Sequence, residues 1–229
     1  MTTQSNEHPI LIAGGGIGGF AAALALARKG RAVHIIEQSG ELGEVGAGIQ
    51  LGPNVFRMFR VLGITEAIND VAVFPDALVM MDALSGEQIT RIPLNTKLFQ
   101  KHFNYPYGVI YRPDLHQVLI DACERQHLVT HSLGQKILRY AEHDSGVEVH
   151  LESGESLSGA ALIGADGLWS TIRGQMREDG PPTVSGHIAY RAVLPAGEVP
   201  ETSRNNSVVL WAGPKTHLVH YPLHRGDIY

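Results

Sequence analysis

The sequence predicts an α/β chain, a Rossmann-like parallel-sheet unit with an antiparallel β-sheet domain woven into it. Three observations lead there. A short apolar run over residues 9–13 meets the glycines Gly14-Gly15-Gly16-Ile17-Gly18-Gly19 and then the helix-forming stretch Phe20–Arg28. A second strand–glycine–helix signal lies at Ile163-Gly-Ala-Asp-Gly-Leu-Trp-Ser-Thr-Ile-Arg173. Between the two, residues 76–92 and 136–151 alternate in the manner of antiparallel strands. Interleaving βαβ units with such hairpins fits a nucleotide-binding domain that shares its chain with a sheet-rich domain.

The first motif has the spacing Gly14-x-Gly16-x-x-Gly19. Such glycines supply a tight turn, close backbone approach to a pyrophosphate, and close helix-to-strand packing. Free N–H groups and the positive end of the helix dipole then face the phosphates. Gly30 ends the helix, and Ala32-Val-His-Ile-Ile-Glu37 reads as a second strand closed by an acid. Glu37 stands where the ribose-binding acid of such folds belongs, able to accept from both ribose hydroxyls and to repel a 2′-phosphate. Strand, glycines, helix, strand and acid fall in register, which a chance Gly-x-Gly-x-x-Gly does not achieve. The motif predicts a site for the adenosine half of a dinucleotide and leaves FAD or NAD open.

Gly40–Gly52 is dense in glycine, which lets backbone approach a bound planar or charged group. Pro53–Leu62 reads as a helix with proline in its first turn and Gly63 as its stop. Ser85-Gly86 marks the hairpin turn within 76–92. Tyr111–Glu124 reads as a helix, with Asp114 near its start and apolar residues at 115, 118, 119 and 122. Strands are expected at 136–142 and 146–151, turning through Asp144-Ser-Gly146, and at Ala161–Gly164. Gly180-Pro-Pro182 resembles a boundary, with strand signals beyond it around 187–194, 207–212 and 216–223. The expected organisation is a nucleotide-binding domain over 1–180, with a hairpin of the second domain inserted near 76–105. The second domain itself starts at 181–229.

In the second motif Asp166-Gly167 follows an apolar strand, Ser170 can cap the next helix, and Arg173 offers a positive fork for phosphate. Taken alone, it reads equally well as an ordinary strand–turn–helix with a surface arginine.

Composition narrows the classes. The chain has 229 residues, 44% hydrophobic and 18% charged with 26 glycines, so it is globular and not disordered. A net charge of −5 without basic runs argues against nucleic acid. Its apolar runs are too short for a membrane span, and Met1–His8 lacks a signal-peptide core, so a cytoplasmic location is expected. The single Cys123 excludes an intrachain disulfide and a cysteine-built metal site, and no metal is expected. No Gly-x-Ser-x-Gly elbow supports acyl transfer.

With both motifs in place, the chain resembles the group A flavoprotein aromatic hydroxylases, relatives of para-hydroxybenzoate hydroxylase, over essentially its whole length. The residues that carry this are Gly14–Gly19 with Glu37, Tyr111-Arg-Pro-Asp-Leu115 and Gly164–Arg173. Gly46-Ala-Gly-Ile-Gln-Leu-Gly-Pro-Asn54 is similar to the salicylate and 3-hydroxybenzoate hydroxylase branch, within which the 3-hydroxybenzoate 6-hydroxylases match best.

The resemblance implies an FAD enzyme that uses NADH more than NADPH, with O2 and a small aromatic acid as its other partners. Glu37 would bind the adenosine ribose, Arg112 the FAD diphosphate region, and Gln50 would lie near the isoalloxazine ring. Asp166, Gly167 and Arg173 would belong to the shared flavin and nicotinamide motif. His217 and Tyr221 match the branch's substrate-contacting histidine and tyrosine. Salicylate 1-hydroxylation and 6-hydroxynicotinate 3-monooxygenation share nearly all these motifs, and a flavin dehydrogenase without oxygen chemistry is a further alternative. Relatives often form homodimers. They are also longer, with a third flavin motif downstream, which Gly226-Asp227 is not. A protein ending at Tyr229 is therefore expected to bind FAD poorly and not to hydroxylate, and a non-catalytic nucleotide-binding remnant stays open.

A histidine suits phenol chemistry because its unperturbed pKa of ~6.5 lets it take a proton near neutral pH. On a strand over 216–223, His217, Val219 and Tyr221 would share one face, with the Cα atoms of His217 and Tyr221 ~13 Å apart. They would address different ends of a small acid.

Overall fold

The computed structural model describes residues 8–43, 46–177 and 179–229. The first elements are β1 (Ile10–Ala13), α1 (Ile17–Ala27), β2 (Val33–Ile36), β3 (Gly48–Leu51), α2 (Pro53–Leu62) and α3 (Thr65–Val71). There follow β4 (Ala77–Asp82), β5 (Gln88–Pro93), α4 (Lys97–Phe103), β6 (Gly108–Tyr111) and α5 (Arg112–Glu124). The chain continues through β7 (Val129–Ser132), β8 (Ile137–His143), β9 (Gly146–Leu151), β10 (Ser156–Gly159), β11 (Ala161–Gly164) and α6 (Thr171–Arg177). It closes with β12 (Ser207–Gly213) and β13 (Thr216–His220). Two units result: one gathers the chain up to Glu44 with His116–Ala189, the other Val45–Leu115 with Tyr190–Tyr229. No helix among the described residues is long and apolar enough to cross a membrane.

The first unit is built on a parallel sheet of order β11-β1-β2-β7. Its central strand β1, Ile-Leu-Ile-Ala, is a continuous apolar run, as a strand covered on both faces is. On one face Leu11, Ala13 and Ile36 pack against Ile137, Val147, Val149 and Leu151 of the antiparallel β10-β9-β8 sheet, and against Ile172. On the other face lie Ile12 and Ile35, with α1 over them burying Phe20, Ala23 and Leu24. Each of the leucine, isoleucine, valine and phenylalanine side chains among them contributes about 1.5–3 kcal/mol when fully buried. Gly30, at φ +75°, takes the left-handed turn after the helix that a side chain would strain.

The second unit contains a four-stranded sheet of order β13-β12-β4-β5 and a two-stranded β3–β6 ribbon. The β4–β5 hairpin turns where Ser85-Gly86 signals it, and Asp82 accepts the N–H groups of Leu84 and Ser85 there. Strand β12 lies parallel to β4, with Val209 opposite Val79, and antiparallel to β13. Helix α2 begins at Pro53 and stops at Gly63 in the left-handed conformation.

Two strand expectations are corrected. Residues 187–194 are not a strand, and the expected 216–223 strand ends at His220. Among the described residues, alternation at 187–194 finds no strand to pair with: Ile188 and Tyr190 are exposed, and Leu194 exchanges backbone bonds with Tyr229. After Tyr221, Pro222 has no N–H for a ladder. Met1–Glu7 of the segment read as lacking a signal-peptide core, and Glu44 and Val45 of the glycine-rich stretch, lie outside the described residues.

Candidate functional site

In the first unit the two glycine motifs meet. Ala13 is level with Gly164, and the Ala165 N–H donates to the Ala13 carbonyl at 2.8 Å. Strands β2 and β7 run outward from β1 on one side while β11 returns on the other, so the strand order reverses between β1 and β11. Open α/β sheets bind ligands at the carboxyl ends of strands at such a reversal. Gly14 has φ +102°, and a Cβ there would overlap the Ala165 carbonyl. A Cβ on Gly19 would overlap the Gly14 carbonyl, so α1 can seat this close to the loop only with glycine. Gly16 is the α1 N-cap, and no side chain caps that end. The first-turn N–H groups have no intrahelical partner, which suits them to phosphate oxygens. This donor set fits the diphosphate of a dinucleotide such as FAD.

Glu37 ends β2 beside the loop. Its Oε2 accepts the Gly15 N–H at 2.6 Å and its Oε1 the Ser39 N–H at 2.7 Å. Each carboxylate oxygen has a second lone pair, so two ribose hydroxyls can still be accepted. Asp166 follows β11 and accepts the Ser170 hydroxyl at 2.5 Å and the Ile172 N–H at 3.1 Å. Ser170 in turn accepts the Arg173 N–H at 2.9 Å, so the pair caps α6 between them. Gly167 makes the turn at φ +78°. Arg173 pairs with Asp179 at 3.0 Å on the surface, and this ion pair engages its Nε.

In the second unit the sequence-predicted Gln50 and Tyr221 come together with a residue the sequence did not single out. Tyr107 donates its hydroxyl to Gln50 Oε1 at 2.5 Å, from β3's neighbouring segment. A Cβ on Gly48 would overlap the Tyr221 ring, so that glycine makes room for the tyrosine. Burial pushes the hydroxyls of both Tyr107 and Tyr221 up, with Arg191 opposing the shift at Tyr221. Both are therefore neutral donors at physiological pH. Val219 and Tyr221 pack together with Tyr107 and Tyr111, whereas His217, opposite Ala212, is exposed. Arg112 begins α5, and its N–H donates to the Ala47 carbonyl at 3.1 Å. Two positions on, Asp114 pairs with His224 at 2.8 Å, while His224 packs edge-on to Tyr111.

Sequence reasoning also passed over His116. It is 3% exposed, and its Nε2 lies 2.7 Å from the Gly15 carbonyl. The available signal was a lone polar residue among the buried Leu115, Val118, Leu119 and Ala122 of α5. For Tyr107 only its place before the apolar strand β6 stood out.

Residues 7–213 match the FAD binding domain family. The chain is 44% identical to a 3-hydroxybenzoate 6-hydroxylase of Aquipseudomonas alcaligenes, over 97% of this chain and 56% of that protein. Against the 3-hydroxybenzoate 6-hydroxylase of Polaromonas naphthalenivorans the identity is again 44%, over 100% of this chain and 57% of that one. A 6-hydroxynicotinate 3-monooxygenase of Bordetella bronchiseptica is 31% identical over 93% and 54%. In fold, Klebsiella pneumoniae HpxO, solved with FAD and uric acid, superposes at TM-score 0.81 with 24% identity, covering 100% of this chain and 57% of its own. The chain thus spans little more than half the length of the relatives it matches. It belongs to the FAD-binding domain family that flavin-dependent aromatic hydroxylases share.

Proposed function

We propose that this chain serves in an FAD-dependent hydroxylase that converts 3-hydroxybenzoate to 2,5-dihydroxybenzoate with NADH and O2. The observation that carries the reading is the 44% identity to 3-hydroxybenzoate 6-hydroxylases across nearly the whole chain. The geometry supports it by bringing both nucleotide motifs to one sheet edge. Gly14, Gly16 and Gly19 would cradle the diphosphate with help from Arg112, and Glu37 would take the adenosine ribose. Gln50 would lie beside the flavin ring, and Asp166, Gly167 and Arg173 would serve flavin and nicotinamide. Bound there, FAD would supply the redox and oxygen chemistry that the aromatic ring needs.

The chain's own groups then handle the substrate. His217 would take the phenol proton, since ionisation raises electron density at the ring carbon para to the hydroxyl, where oxygen is added. Tyr221, held neutral by its burial, would donate a hydrogen bond to the carboxylate at the other end of the acid. A cytoplasmic location and a homodimeric assembly complete the reading, the latter checked by sedimentation.

The test is NADH oxidation by the protein carrying this chain, with FAD and 3-hydroxybenzoate, salicylate or 6-hydroxynicotinate in turn. The reading predicts strongest stimulation by 3-hydroxybenzoate, 2,5-dihydroxybenzoate as product, and loss of coupled turnover in His217→Ala and Tyr221→Phe. Stimulation by another acid moves the substrate and keeps the family. No stimulation by any of them overturns the reading.

A further inference from the structure

We infer that His116 is a positioning residue of the nucleotide site, one that locks the glycine loop in the conformation that offers N–H groups to phosphate. The inference rests on the FAD-binding reading for its purpose and on this chain's geometry for its substance.

Three successive glycines, Gly14-Gly15-Gly16, can adopt many backbone conformations, including flipped peptides. A flip of the Gly15–Gly16 peptide would turn a carbonyl oxygen toward the ligand and repel its phosphates. His116 holds that peptide, and Glu37 holds the Gly14–Gly15 peptide before it. Glu37 accepts the Gly15 N–H at 2.6 Å, and the Gly15 carbonyl is held at 2.7 Å by His116 Nε2. A carbonyl only accepts, so His116 carries its proton on Nε2. In a planar trans peptide the C=O and N–H point in opposite directions. Fixing the Gly15 oxygen on His116 therefore turns the Gly16 N–H away from His116, among the unpaired amides at the α1 N-terminus.

Packing alone does not call for an imidazole here. His116 lies on the buried face of α5 and meets the Phe20 ring edge-on at 5.5 Å between centroids. Leucine or phenylalanine would fill that space without placing a polar group in the core, which costs stability unless it is hydrogen-bonded. Among the described residues its polar contact is the loop carbonyl. Binding a ligand to an already ordered loop spares the entropy of ordering it, which is how preorganisation raises affinity.

The experiment compares the protein carrying this chain with its His116→Phe and His116→Gln forms. Backbone amide exchange of Gly14–Gly19 is measured without ligand, and FAD affinity by calorimetry. Losing a buried hydrogen bond should speed loop exchange by about 10-fold and weaken FAD by roughly 10- to 100-fold in His116→Phe. Exchange in β8 and β9 should not change, and His116→Gln, which can donate from a similar place, should recover to within about 3-fold on the same scale. Loop exchange in His116→Phe equal to the parent overturns the proposal. Should that variant fold poorly, nitrogen-15 spectra of the parent decide: a slowly exchanging Nε2 proton supports the lock, and an Nδ1 proton contradicts it. If the protein carrying this chain does not bind FAD, the flavin reading fails, while exchange and tautomer still decide the role of His116 in the loop.

Discussion

Gly14 and Ala165 stand backbone to backbone at the end of the parallel sheet, so that any Cβ on Gly14 would overlap the Ala165 carbonyl. The same glycine holds φ +102°, outside the range that L side chains favour. Gly14→Ala therefore combines strain with a backbone collision that no rotamer relieves. Strain of this kind costs about 1–3 kcal/mol before the collision is added. Thermal melting should show a fall of roughly 5–10 °C. A melting curve equal to the parent's would mean that the loop between β11 and α6 is free to move aside.

Gly48 makes a gentler test, because what a side chain would meet there is the Tyr221 ring and not backbone. Gly48→Ala should displace the ring and leave the first unit untouched. The expected outcome is a KM for the phenolic acid raised by at least ~10-fold, the effect of about 1.4 kcal/mol, with FAD affinity unchanged. Equal loss of FAD affinity would place Tyr221 in flavin binding and not in substrate binding.

Much of this frame was legible in the sequence, for reasons that particular residues make plain. Gly14–Gly19, Glu37, the Pro53 start and Gly63 stop of α2, and the Ser85-Gly86 turn are local signals, and local geometry honours them. What was not legible depends on partners distant in the chain. Residues 187–194 alternate as a strand would but find no edge to join. His116 meets Gly15, and Tyr107 meets Gln50, only because the fold brings separate segments together. Gly48, within the stretch read as backbone room for a bound group, gives that room to the Tyr221 ring, a partner distant in the chain.

Trp211 donates its indole N–H to His220 Nε2 at 3.2 Å, and an indole can only donate. His220 is thus neutral with its proton on Nδ1, and burial pushes its pKa down. A folded value below the unfolded one means stability present above about pH 6.5 and lost as pH falls through the folded value. In a Trp169→Phe background, which leaves Trp211 as the remaining one of the 2 tryptophans, fluorescence should titrate with a midpoint below 6.5. His220→Phe should abolish the titration. A midpoint at or above 6.5 would contradict the assignment.

Burial pushes the Cys123 thiol up to about 12. Its Sγ faces the Phe20 carbonyl at 3.4 Å, and the residue is 1% exposed. Nucleophilic attack needs the thiolate. The folded chain should resist iodoacetamide at pH 8 and react once denatured, as mass spectrometry would report. Since the folded pKa is raised, the contribution to stability is complete below about pH 9 and fades as pH rises toward 12. Cys123→Ala should flatten that part of the alkaline decline.

The most direct test of the account is equilibrium titration of FAD against the protein carrying this chain, its Gly14→Ala form and its Asp166→Ala form, each checked for folding. If the two motifs make one flavin site, both variants should weaken binding by at least ~10-fold, about 1.4 kcal/mol each. Binding of FAD to either variant as tightly as to the parent would contradict it.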